Sequence, residues 1–71
     1  MLKIEILLKN SNLMLAVHRK SEIDADLLLE QILAVLPVEK TQLLRLTCER
    51  HPKTKVAVLN HEIAAVSLSE A

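Results

Sequence analysis

The sequence contains no glycine. Each tight reversal must therefore be made by residues that carry a Cβ, and only a few residue types tolerate the backbone angles this demands. Asn10-Ser11-Asn12 is the clearest substitute, because asparagine enters the left-handed region that glycine would otherwise supply. The flanking segments alternate. Leu2, Ile4, Ile6 and Leu8 fall on one side against Lys3, Glu5, Leu7 and Lys9, and Leu13, Leu15 and Val17 fall opposite Met14, Ala16 and His18. A period of two around a turn predicts a hairpin of half-buried strands over residues 2–8 and 13–19.

The period then changes. Ser21 is placed to accept from the backbone of Asp24, and Glu22, Asp24 and Asp26 suit the positive end of a helix dipole. Ala25, Leu28, Leu29, Ile32, Val35 and Leu36 make one apolar stripe at helical spacing, and Pro37 stops the helix at or before Leu36. Ile23, Leu27 and Ala34 gather on the far side, either as scattered surface aliphatics or as a contact for a partner. After a linker over 38–41, residues 42–49 read as a strand with Leu44, Leu46 and Cys48 inward and Leu43, Arg45 and Thr47 outward. His51-Pro52-Lys53 turns the chain into a fourth strand over 55–59, with Val56 and Val58 inward. Asn60-His61-Glu62 is a tight connection into a fifth strand over 63–69, and Ser69-Glu70-Ala71 is expected to fray. The expectation is one α+β domain spanning residues 1–71, in the order ββαβββ, with an antiparallel sheet and one helix packed on one face.

One helix covers one face, so the other is open. It should carry Leu7, Met14, Ala16, Leu43, Ala57, Ala65 and Ser67, with Lys3, Glu5, Arg45 and Thr47 around them. Such a surface is flat and rich in small side chains, which suits a second sheet or a partner protein. The chain also has reason to associate. At 71 residues it is short, its single cysteine permits no internal disulfide, and 51% of it is apolar. Ordering costs roughly 1.5 kcal/mol per residue, and a core this small offsets it with difficulty. These features predict a homodimer or a module that docks a protein partner, using Leu7, Met14, Ala16, Leu43 and Ala57 of the sheet and Ile23 and Leu27 of the helix.

Composition excludes much else. There is no Phe, Tyr or Trp to stack on a base or a flavin, and without glycine the usual phosphate-cradling loops cannot form. Nine Lys+Arg balance nine Asp+Glu, which argues against a chain whose main work is gripping phosphate backbones. Short basic clusters do exist. Arg19, Lys20, Arg45, Lys53 and Lys55, gathered at strand ends, would make a weak nucleic-acid-binding module, the alternative to protein docking. Cys48 and His51 are three apart, the spacing of a thiolate with a basic partner or of two metal ligands, but the inward phase of Cys48 reads as a small buried hydrophobe. His18, His51 and His61 sit at a strand end and in turns, without metal-ligand spacing, and read as surface residues. No cofactor, metal site or catalytic constellation is expected, and the chain reads as non-enzymatic. The lone cysteine suits a reducing cytoplasm, and the alternating N-terminus is neither a signal peptide nor a membrane span.

Four segments carry a resemblance. They are Val17-x-Arg19-Lys20, Gln42-Leu43-Leu44-x-Leu46-Thr47-Cys48-Glu49, Pro52-Lys53-x-Lys55-Val56-Ala57-Val58-Leu59 and Glu62-Ile63-x-Ala65-Val66. Together they resemble a small uncharacterised protein family of cyanobacteria, over Met1 to about Ser69. The Leu-Thr-Cys-Glu and Lys-Val-Ala-Val stretches are the most specific parts. The family pattern has aromatics near the N-terminus and in the helix and a glycine-containing loop after it, where this chain reads Leu2, Leu29 and Pro37-Val38-Glu39-Lys40. The resemblance implies a cytoplasmic protein of a photosynthetic bacterium, and it implies no activity, substrate or functional residue.

Overall fold

The computed structural model describes the whole chain, Met1–Ala71. Asn10 takes a φ of 56°, the left-handed conformation expected of it, and Ser11 Oγ accepts from the Leu13 N–H at 2.9 Å. This turn joins β1 (Leu2–Leu8) to β2 (Met14–Arg19). Ile4 faces Val17 and Ile6 faces Leu15 across the hairpin, so the residues with the inward phase share one face. Ile4, Ile6 and Val17 are fully buried there. Leu13 departs from its expected phase: it stays in the turn, 55% exposed beside Met14.

Helix α1 (Glu22–Val35) starts at Ser21, whose Oγ accepts from the Asp24 N–H at 3.4 Å, and it stops at Leu36 ahead of Pro37. Ala25, Leu28 and Ile32 are its buried stripe, laid across β1, β2 and the last strand. The chain continues through β3 (Leu43–Thr47), β4 (Lys55–Leu59), a short 3-10 turn at Asn60–Glu62 and β5 (Ile63–Glu70). The fold is α+β in the order ββαβββ, with every strand pairing antiparallel.

The strands divide into two sheets rather than one. β2-β1-β5 form a three-stranded sheet and β3-β4 a separate hairpin. The hairpin meets the edge of β2 only past the end of β3, where the Glu49 N–H donates to His18 O at 3.0 Å. Leu46, Cys48 and Val58 nevertheless join Ile4, Ile6, Val17, Ala25 and Ile32 in one core. The hairpin has turned out of the sheet to close that core from a further side, which a single flat sheet with one helix would leave open. The C-terminus does not fray at Ser69. Glu70 pairs with Leu2, and the Ala71 N–H donates to Met1 O at 2.9 Å, so the start of β1 holds it. No helix is long and apolar enough to cross a membrane.

Candidate interaction surfaces

The outer face of the three-stranded sheet follows from its register. Leu7 lies between Met14 and Ala65, and Glu5 lies between Ala16 and Ser67. Leu7, Met14, Ala65, Val66 and Ser67 line a shallow depression of about 110 Å³ with Glu5 at its rim. Met14 is 49% exposed. Glu5 is also the acidic half of the molecule's ion pair, with Lys3 Nζ at 3.5 Å. Apart from Glu5 and Ser67, the lining is apolar. The far edge of β5 is unpaired, and its sequence from Ile63 to Ser69 carries no charge to resist close approach.

The other expected contact residues lie elsewhere. Leu43 and Ala57 belong to the hairpin, opposite Leu59 and Arg45 respectively. Ile23 and Leu27 are 72% and 57% exposed on α1. With roughly 3.6 residues per turn, they point away from the Ala25/Leu28/Ile32 stripe, hence away from the sheet. The sheet face and helix strip read from the sequence therefore become three surfaces: the outer sheet face with Leu7, Met14 and Ala16, the hairpin with Leu43 and Ala57, and the helix strip with Ile23 and Leu27.

The basic residues are brought together instead. Arg19 Nη1 donates to Thr47 O, at 2.6 Å, and to His18 O, at 2.9 Å. The Lys20 N–H donates to Glu49 Oε1 at 2.9 Å. These bonds fasten the end of β2 to the hairpin that carries Arg45, Arg50, Lys53 and Lys55. Arg45 and Lys55 line one depression of about 190 Å³ with Thr47 and Ala57, and Arg50, His51, Lys53 and Thr54 surround the hairpin tip.

His18 corrects the sequence reading. It has the outward phase of β2 yet is only 8% exposed, because residues 47–49 lie over it. Its N–H donates to Cys48 Sγ at 3.3 Å, and its Nδ1 lies 3.5 Å from the same sulfur. The imidazole beside Cys48 is thus that of His18 and not that of His51. Burial holds His18 below its ordinary value, and Arg50, His51, Lys3 and the N-terminal amine push it the same way. Burial alone would raise the Cys48 thiol. The backbone N–H groups of His51, His18 and Arg50, with Arg19 nearby, outweigh it and bring the thiol below its ordinary value. Cys48 is 2% exposed, and neither residue lines any surface depression, so the pair acts as a clip between the two sheets. His61 is likewise engaged, with Nε2 2.7 Å from Val38 O. Only a spatial neighbour covers His18, and alternation along β2 holds no trace of it.

Comparison with known proteins adds kinship. The model of the UPF0367 protein family matches residues 3–71. A UPF0367 protein of Acaryochloris marina is 43% identical over 70 residues, which is 99% of this chain and 80% of the relative. Similar proteins of Crocosphaera subtropica and Synechocystis are 40% and 36% identical over 99% of this chain, and over 77% and 75% of their own lengths. No solved structure matches the chain. The names of these relatives state no activity, so surface chemistry has to carry the functional argument.

Proposed function

The chain belongs to the UPF0367 protein family, and we propose that this member is a non-enzymatic protein-interaction module that self-associates through the outer face of its three-stranded sheet. The observation that carries this reading is the cross-strand pair Leu7–Met14, flanked by Ala65, at the end of the outer face away from the covered His18, where Met14 is 49% exposed. Contiguous apolar surface of this kind favours an interface. A specific interface takes about 800 Å² from each partner, roughly a sixth of the 4877 Å² surface. The non-enzymatic reading is supported by the placement of the two perturbed ionisable groups, His18 and Cys48, which are buried away from every depression where a substrate could sit.

Met14→Asp tests the reading. A buried, unpaired carboxylate at the centre of an interface is strongly unfavourable, whereas on an exposed strand it leaves the fold intact. Wild-type protein should sediment as a dimer and Met14→Asp as a folded monomer. Leu27→Asp, on the opposite side of the molecule, separates the surfaces: a mass that drops for Leu27→Asp and not for Met14→Asp moves the contact to the helix. A wild-type monomer at all concentrations refutes self-association. Without Trp or Tyr the chain barely absorbs near 280 nm, so interference optics are required.

A further inference from the structure

We infer that the β3–β4 hairpin is a basic ribbon that binds duplex DNA. The chain is neutral overall, but its charges are separated in space. Arg45, Arg50, Lys53 and Lys55 lie on the hairpin, and the Arg19 guanidinium is fastened beside it through Thr47, whereas Lys20 is tied only by its backbone N–H to Glu49 and lines a separate depression with Glu22 and Glu70. Glu49 is the single carboxylate between Leu43 and Leu59, and its Oε1 is occupied by the Lys20 N–H. None of these cations is in an ion pair, since the molecule's one ion pair joins Lys3 to Glu5. The compensating carboxylates Glu22, Asp24, Asp26 and Glu30 sit on the helix. Balanced composition therefore does not argue against a polyanion here. What matters for phosphate contact is the local field, and on this hairpin it is positive.

Shape and chemistry select the kind of polyanion. The hairpin is a two-stranded antiparallel ribbon of five residues a strand, separate from the main sheet. Its strands are roughly 17 Å long at ~3.4 Å per residue, and the major groove of B-DNA, about 12 Å wide, admits such a ribbon. Its outward face carries Arg45 and Lys55 with the small side chains Thr47 and Ala57 toward the tip, and the exposed pair Leu43–Leu59 at the base. Single strands are a poorer fit, because their binding relies on aromatic stacking and the chain has no aromatic residue. Duplex RNA offers a major groove too deep and narrow to enter. An anionic membrane calls for apolar anchors beside the charge; the exposed Leu43 and Leu59 lie at the base of the hairpin, and the tip from Arg50 to Thr54 has none.

The test is fluorescence anisotropy with a labelled DNA duplex of about 20 base pairs, its separated strand, and anionic phosphatidylserine vesicles as competitor. Wild-type protein should bind the duplex more tightly than the strand. Engagement of the four hairpin cations gives a slope of about −3.6 in log affinity against log salt, a loss of more than a thousandfold for each tenfold rise in salt. Lys53→Glu/Lys55→Glu should abolish binding. Lys40→Glu, a basic residue outside the hairpin, should retain it, with circular dichroism confirming that both variants are folded. The inference is overturned by no duplex binding at low salt, by tighter binding to the single strand or displacement by the vesicles, or by equal losses in the two variants.

Discussion

Asn60→Ala removes the side chain that ties the hairpin to the rest of the molecule. Asn60 is 1% exposed. Its Nδ2 donates to Val35 O at 2.9 Å and to Val38 O and Lys40 O, both at 3.3 Å. Its Oδ1 accepts from the Gln42 N–H at 2.8 Å. One amide thus joins the helix end, the linker, the entry to β3 and the exit from β4. The two hydrogens of Nδ2, shared among three acceptors, count as two bonds at about 1 kcal/mol net each, and stranding the Gln42 N–H adds a further penalty of about 1 kcal/mol or more. The loss comes to about 3 kcal/mol, a large share of the ~4–10 kcal/mol expected for a domain of this length. The melting temperature should fall by roughly 12–24 °C at ~4–8 °C per kcal/mol. Urea unfolding followed by far-ultraviolet circular dichroism, at fixed protein concentration, measures it: the midpoint should drop while the slope is unchanged. Asn60→Asp keeps the acceptor for Gln42 but aims an anion at three carbonyl oxygens, so it should be at least as damaging. A change below about 1 kcal/mol for Asn60→Ala would show that water replaces the amide and that the tie is not structural.

Two further outcomes follow from the core and its clip. His18 has its folded pKa lowered from 6.5, so the unfolded chain takes up a proton that the fold resists: stability is full above 6.5 and declines as pH falls below it, a slope that His18→Gln should flatten in urea titrations. An equal acid slope in His18→Gln would assign the proton uptake to other groups. Ile32 is fully buried at the centre of the helix stripe, and Ile32→Ala should cost about 2–5 kcal/mol; a calorimetric melt within a few degrees of wild type would mean the site collapses around the missing methyl groups.

The elements legible in the sequence were those dictated by local chemistry. Asn10 supplied the positive φ that glycine would have given, Ser21 capped the helix, Pro37 ended it, and period-two alternation put Ile4, Ile6, Val17, Leu46 and Val58 inward. What was hidden depends on contacts between distant segments. Asn60 looks like a turn residue, and its four partners between Val35 and Gln42 come near it only once the fold forms. His18 has the phase of a surface residue and is covered from 30 positions away by Cys48. Met14, Leu27 and Leu43, expected to contact a partner, are exposed, at 49%, 57% and 50%. The helix strip was legible as separate from the sheet; the division of Met14 and Leu43 between two sheets was not, because strand phase says which side of a sheet a residue takes and not which sheet.

The separation of the hairpin from the sheet is what gives the surfaces distinct chemistry. Had β3 continued alongside β2 in a five-stranded sheet, Arg45 and Lys55 would share an outer face with Glu5 and be partly neutralised by it. A single backbone bond, Glu49 to His18, joins the two sheets at the edge of β2 instead. Glu5 stays with Lys3 beside the apolar Leu7–Met14 pair, and the four hairpin cations face one hairpin carboxylate, Glu49, which leaves the hairpin net positive. The His18–Cys48 contact and the Arg19–Thr47 bond hold that break in place. The two proposed contacts can therefore fail independently: a charge placed at Met14 acts on the first sheet, and a charge reversed at Lys53 or Lys55 acts on the second.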